Sequence, residues 1–408
     1  MSAARIVMQR IEALGKISEE PHRLTRTFCS PAMRRAHDLV ASWMRETGMT
    51  VREDAIGNLI GHYPANKSDA KIFLLGSHLD TVRDAGKFDG PLGVLIALAC
   101  VQELHQKKIR LPFAIEVVGF ADEEGVRYQA AYLGSKVLAG NFDAKDLKRI
   151  DANGISMSEA IQKFGGSPAQ IKNSRLNPKQ ILGYAEVHIE QGPVLEKENL
   201  AIGIVTAIAG QTRVQINFAG CAGHAGTTPM NLRKDALCAA AEFVLSIESY
   251  AKKISGLVAT VGQIEAKPGA SNVIPADVNL TLDVRHQNDS TRKTAHENLN
   301  KSAQQIAQKR GLKTDWQLVQ EIAAVPCSTQ LSDLLAKAAK KNQSRLLKLP
   351  SGAGHDAAVI SKITPVAMLF VRCKSGLSHH PDESVKVEDV QIAIAVMNEF
   401  LEVLAKRA

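Results

Sequence analysis

The chain has 408 residues, more than one ordinary hydrophobic core organises, so two domains are expected. Hydrophobic residues make up 45% and charged residues 23%, a globular balance, and no apolar run approaches the roughly 20 residues of a membrane span. The net charge of +8 is spread along the chain with only 4% aromatics and no basic block, which argues against nucleic acid and suits a small anionic substrate.

The N-terminal MSAARIVMQRIEALG reads as an amphipathic helix ending at Gly15, without an apolar leader or cleavage-like site. The six cysteines are scattered, with no CxxC and no close pair. Both features point to a cytoplasmic protein with free thiols. Ser30-Pro31 supplies an N-cap followed by proline at the first helical position, and Ala36, Leu39, Val40, Trp43 and Met44 form one apolar face before Gly48.

KIFLLGSH (71–78) and FAIEVVGFAD (113–122) are continuous apolar runs suited to strands covered on both faces, with a helix predicted over about 92–106 between them. This alternation predicts an α/β fold with helices on both faces of a sheet. From about 211 to 318 the order changes to strand TRVQINFAG, helix, strands GLVATVGQIEA and DVNLTLDVR, helix, and strand LKTDWQL. That βαββαβ order is the ferredoxin-like plan. A helix near 330–342, a turn-rich SGAGHDAA, the strand VAMLFVRC and a C-terminal helix then resume the first sheet. The predicted organisation is a discontinuous domain of 1–210 and 327–408 interrupted by an inserted domain of 211–326.

Four segments gather metal-ligand residue types: GSHLDTVRDAGKFDGPLGV (76–94), FADEEG (120–125), EVHIEQG (186–192) and GLSHHPDE (376–383). Each lies at or just after a predicted strand, and in open α/β sheets ligands bind outside the carboxyl ends of the strands. His78 taken alone is as readily a buried structural histidine, and Asp89 a turn residue in Asp-Gly. Asp80, two residues after His78, is placed to hold its imidazole in one tautomer. Glu123-Glu124 is the most informative pair. One carboxylate can ligate metal while the other takes a proton from the attacking water, and two adjacent acids are best tolerated where a cation offsets them. His188 and one of His379/His380 complete a mixed imidazole–carboxylate set suited to zinc, manganese, cobalt or nickel.

These segments, with GHAGTTPM (223–230), SNVIP (271–275), DVRH (283–286) and SGAGHDA (351–357), resemble the metal-dependent amidases that include allantoate amidohydrolases, N-carbamoyl-L-amino-acid hydrolases and β-ureidopropionases, within the aminoacylase–zinc peptidase superfamily. The resemblance runs over nearly the whole chain. It implies a zinc-peptidase-like catalytic domain with two divalent metal ions per subunit (zinc or manganese, with cobalt or nickel as alternatives). One ion would be held by His78 and His188, the other by Glu124 and His379, with Asp89 bridging them and His380 a bystander. Glu123 would be the general acid/base. His224 would reach a neighbouring subunit's active site, making the protein a homodimer paired through an inserted dimerisation and lid domain that closes on hinges near 210 and 326. Arg285 would bind a substrate carboxylate and Asn272 the same end of the substrate, with Gln191 and Gly354 lining the site. The resemblance also implies a cis peptide at Asp89-Gly90.

The expected activity is hydrolysis of a carbamoyl or ureido C–N bond in a small anionic substrate, releasing ammonia and carbon dioxide. Allantoate is slightly preferred over an N-carbamoyl-L-amino acid. The competing expectations are an aminoacylase or dipeptidase with the same metals, and a metal-binding protein that has lost catalysis; intact Glu123 argues against the last.

Overall fold

Residues 1–407 are described by a computed structural model, in which they divide into two compact units. The first unit comprises Met1–Thr206, Cys327–Leu349 and the chain from Ala353 onward; the second comprises Ala207–Pro326 and Pro350–Gly352.

The first unit begins with α1 (Ala3–Gly15), α2 (Pro31–Glu46), β1 (Thr50–Glu53), β2 (Leu59–Tyr63), β3 (Ile72–His78), α3 (Pro91–Gln106) and β4 (Ala114–Phe120). It continues through α4 (Leu133–Ala139), α5 (Met157–Phe164), β5 (Ile181–Ile189), α6 (Val194–Lys197) and β6 (Ile202–Ile208). In the second unit the chain forms β7 (Gly210–Ala219), β8 (Gly223–His224), α7 (Ala236–Ala251), β9 (Val258–Lys267), β10 (Val273–Ile274), β11 (Asp277–His286), α8 (Asp289–Lys309), β12 (Lys313–Ile322) and β13 (Val325–Pro326). It returns for α9 (Thr329–Asn342), β14 (Lys348–Ser351), α10 (Asp356–Ile360), β15 (Val366–Val371) and α11 (Val387–Ala405).

The large sheet runs β1-β2-β4-β3-β5-β15-β6, and β13 and β14 pair with β6. Its centre is parallel: β3 runs with β4 and β5, and β15 with β5, so their carboxyl ends emerge along one edge. The outer pairs β2·β4 and β6·β15 are antiparallel, which makes the sheet mixed. Every residue of β4 is buried, as are all but the first of β3, because helices cover both faces. Ala185 and Val187 of β5 join the core formed with α1, α3, α9 and α11. On the opposite face, Glu186 accepts from the Ala357 amide of α10 (3.1 Å). Helix α3 is apolar nearly all round, with Leu92, Leu95, Ile96, Cys100 and Val101 fully buried, the composition of a helix packed on several sides.

The second unit obeys the other periodicity. Its four strands are antiparallel in the order β12-β7-β11-β9. Along β11, Val278, Leu280, Leu282 and Val284 are buried, while Asn279, Thr281, Asp283 and Arg285 alternate with them on the other face. Helices α7 and α8 cover the apolar face, where Phe218 and Phe243 pack edge-to-face at 5.8 Å.

Candidate metal centre

Parallel pairing brings four distant segments to one edge of the large sheet. His78 is the last residue of β3, Glu123 and Glu124 follow β4, His188 is the penultimate residue of β5, and the loop after β15 carries His379. Asp89 sits immediately before Gly90, the N-cap of α3. Gly90 adopts φ 82, and a Cβ there would lie 2.4 Å from Cε1 of His78, so the imidazole can rest on the backbone only because residue 90 is glycine. The expected cis bond is not present. Asp89–Gly90 is trans, and among the described residues Lys267–Pro268 is the cis peptide. The turn into α3 is made instead by the positive φ of Gly90.

The two oxygens of Asp89 face different partners. Oδ1 lies 3.1 Å from His188 Nε2 and 3.6 Å from His78 Nε2, while Oδ2 lies 3.0 Å from His379 Nε2. That same His379 nitrogen is 3.3 Å from Glu124 Oε1. Two donor groups result, His78–Asp89–His188 and Asp89–Glu124–His379, sharing one aspartate. Tetrahedral ligands at zinc-like bond lengths stand about 3.3 Å apart, so this donor set fits a pair of divalent ions. Backbone carbonyls fix both buried imidazoles, since Nδ1 of His78 lies 3.0 Å from Asp80 O and Nδ1 of His188 lies 3.0 Å from Ile189 O. With the proton on Nδ1, each Nε2 would be left free to ligate a metal ion beside Asp89.

The charges around Asp89 are strongly coupled. Burial opposes ionisation of Asp89, but His188, His379 and His78 hold its carboxyl well below the usual carboxylate range. Burial likewise opposes charge on His78, and Asp80 and Asp89 more than offset it, raising the imidazole well above its ordinary value. For His379 the hydrogen bonds to Asp89 and Glu124 dominate and lift it to about 10. Glu123 is the contrary case. Burial drives it well above the carboxylate range against the pull of His78.

Several supporting roles were not anticipated from the sequence. Asp80 does more than face His78, because its two oxygens accept the amides of Glu123 and Glu124 (3.1 Å each) and hold both glutamates at the end of β4. The Ser378 hydroxyl lies 2.8 Å from Asp89 Oδ2, and Glu383 accepts the Phe88 and Asp89 amides. His355 is buried with its ring edge-on to His188 (4.5 Å between centroids), and burial first, then His188, lowers its pKa well below the ordinary value. Glu186, His188 and His355 form a further group of potential ligands. Little in the sequence could have revealed these roles beyond the nearness of Ser378, Glu383 and His355 to the motif histidines.

The other predicted residues fall in different places. His380 points at Asp382 (3.8 Å) and joins neither donor group. Gln191, at φ 56, donates from Nε2 to Asp89 Oδ2 (2.9 Å), and its Oε1 is buried without a partner. A Cβ on Gly354 would lie 1.9 Å from the Tyr132 hydroxyl, so only glycine fits beneath that phenol.

In the second unit, Val273 pairs with His224, and Ala225 donates to Asn272 O (2.9 Å), which places His224 and Asn272 side by side. Arg285 is elsewhere. It pairs with Gln211 in the register, whereas Ala219 and Asp277 mark the end of the sheet leading to His224. At about 3.4 Å per residue, the β11 segment between Asp277 and Arg285 spans roughly 27 Å. Asn272 precedes Asp277, at the end of β11 away from Arg285. The Arg285 fork grips Asp283 (2.9 and 3.0 Å) and donates to Gly352 O (2.7 Å), leaving two of its five N–H groups for another acceptor.

Comparison with known proteins identifies the family. Residues 74–403 match Peptidase family M20/M25/M40. The chain is 41% identical over 390 residues to an N-carbamoyl-L-amino acid amidohydrolase of Geobacillus stearothermophilus, covering 95% of each. It is 39% identical over 427 residues to allantoate deiminase 1 of Glycine max, covering 97% of this chain and 88% of the relative. A crystal structure of an amidase of the hydantoinase/carbamoylase family from Burkholderia multivorans superposes with a TM-score of 0.93 at 31% identity, covering 98% of each chain. With the family match spanning most of its length, the chain belongs to peptidase family M20/M25/M40.

Proposed function

We propose that this chain is a two-metal-dependent amidohydrolase cleaving the carbamoyl or ureido C–N bond of a small carboxylate substrate, with release of ammonia and carbon dioxide. The observation that carries the reading is the division of Asp89 between two donor groups beside the buried Glu123. The names of the relatives, N-carbamoyl-L-amino acid amidohydrolase and allantoate deiminase, support the substrate class. His78, His188, Asp89, Glu124 and His379 would hold a divalent pair, which would supply Lewis acidity when bound. Glu123 takes the proton of that water and later returns it to the leaving nitrogen. Asp80 keeps Glu123 and Glu124 in place through their amides. Arg285 orients the substrate carboxylate with its two free N–H groups, and Gln191 and Gly354 line the pocket.

His224 stabilises the oxyanion and acts from a second copy of the chain. Two observations support this. The β8–β10 segments carrying His224 and Asn272 join the four-stranded sheet at Ala219 and Asp277, the end away from Arg285, which suits a substrate engaging residues of two copies. The edge of β9 is open, and beside it Leu245 and Ile264 are 65% and 52% exposed, an apolar surface suited to pairing. The second unit is then the dimerisation and lid domain, with ligand-dependent hinges where the chain crosses between units near 207 and 326. The six free cysteines support a reducing, cytoplasmic setting.

Ammonia release from allantoate, N-carbamoyl-L-amino acids and N-carbamoyl-β-alanine, with manganese, zinc, cobalt and nickel supplied in turn, tests the proposal. Turnover of at least one ureido substrate is expected, with allantoate slightly preferred. Dipeptide or N-acyl amino acid hydrolysis without any ureido turnover would replace it with an aminoacylase or dipeptidase.

A further inference from the structure

Glu383 is 3% exposed, and among the described residues no lysine or arginine forms an ion pair with it. The charged group that acts on it most is Asp89, which carries the same sign. A buried carboxylate beside another carboxylate is costly and persists only where its hydrogen bonds do something for the structure. Here Oε1 accepts the amides of Phe88 (2.7 Å) and Asp89 (3.1 Å), and Oε2 lies 3.2 Å from the Ser378 hydroxyl. That hydroxyl is also 2.8 Å from Asp89 Oδ2, so one proton serves two carboxylates. The Glu383 amide donates to His380 O (3.0 Å) and closes the turn that follows His379. Against the other side, a Cβ on Gly86 would lie 2.3 Å from Glu383 Cβ, so the Asp89 loop is moulded around this side chain.

We propose that Glu383 is a positioning residue of the metal centre: through Ser378 and the Phe88 and Asp89 amides it locks the loop carrying Asp89 against the loop carrying His379. The inference rests on the reading of Asp89 as the ligand common to two ions. Donors common to two ions must be held to within about 0.5 Å for both sites to form. Glu383 supplies that constraint between loops 294 residues apart in the chain, without itself offering an atom to either donor group.

The test is a chelator-competition titration of metal affinity, with the visible spectrum of the cobalt-substituted protein, on wild type, E383A, E383Q and Ser378→Ala. Affinity is expected to fall roughly 10- to 100-fold in E383A, the usual effect of losing a group that orients metal ligands. The cobalt spectrum should change with it, and E383Q, which keeps an acceptor for the two amides, should recover part of the loss. Wild-type affinity and spectrum in E383A would overturn the proposal. Should E383A fail to fold, wild-type values in both E383Q and Ser378→Ala would overturn it equally. Asp89→Ala separates the two ideas. If wild type binds no ion pair, or Asp89→Ala binds as tightly as wild type, the reading of the centre fails; if Asp89→Ala alone abolishes binding and the Glu383 variants do not weaken it, only the role of Glu383 fails.

Discussion

Strands β3 and β11 show how differently the two units use a sheet. β3 is parallel to both neighbours and buried on both faces, so the residue at its carboxyl end, His78, enters an environment where charge is costly unless partnered. β11 is antiparallel, with one face in the core and the other carrying Asn279, Thr281, Asp283 and Arg285. The first arrangement concentrates imidazoles and carboxylates until each shifts the other's proton affinity. The second spreads single polar groups along a surface, where they can bind a substrate or a partner while gaining little from one another. On the proposed reading, reaction chemistry falls to the first unit, and recognition and assembly to the second.

The largest expected effect tests the chemical half of that division. Glu123→Ala should lower kcat by roughly 10²- to 10⁴-fold, the usual contribution of a general acid/base, while metal content measured by emission spectroscopy stays at the wild-type level. Full turnover in this variant would remove Glu123 from the mechanism.

His224→Ala should cost roughly 10²- to 10³-fold in kcat as a lost oxyanion donor. If the two groups act on one substrate from different chains, as proposed, mixing the Glu123→Ala and His224→Ala proteins and allowing subunits to exchange should restore activity. Exchanged mixtures that remain inactive would return His224 to its own chain or to a surface role.

A double substitution of Leu245 and Ile264 by glutamate places charge on the apolar surface beside β9. Light scattering should then report monomers, and turnover should fall with the dimer. A dimer of unchanged mass would move the interface elsewhere.

The smallest effect lies in the metal-free protein. The folded-state pKa of His379 is raised from 6.5 to about 10, so its pairing with Asp89 and Glu124 stabilises the metal-free fold fully below pH 6.5 and ceases to do so as pH rises through about 10. The thermal stability difference between wild type and His379→Asn, measured with chelator present, should shrink across that interval. A difference that is constant with pH would show that the metal-free His379 is not held by these carboxylates.

The apolar runs and their endings made much of the architecture legible. KIFLLGSH and FAIEVVGF announce strands covered on both faces, and the alternation in DVNLTLDVR announces a strand with one open face. The candidate ligand types at His78, Glu123, Glu124 and His188 were legible for the same reason, since they stand where an apolar run stops, whereas Asp89 and His379 lie further out in polar loops. Other features were not. The trans bond at Asp89–Gly90 departs from the family expectation, and the turn there depends on how the His78 ring packs on Gly90. The double acceptance by Asp80 and the lock made by Glu383 involve backbone amides, which a string of side chains does not display.

By itself, the sequence determined which residue types stand at strand ends and which periodicity each segment follows, because burial pattern and chain connectivity are local properties. Only the tertiary structure decided that the two oxygens of Asp89 face different donor groups, that Asp80 serves the backbone of the glutamate pair, and that His224 lies in the β8–β10 pair, outside the four-stranded sheet that carries Arg285. Those outcomes depend on strand order and register, which are fixed by packing between segments hundreds of residues apart and leave no local pattern along the chain.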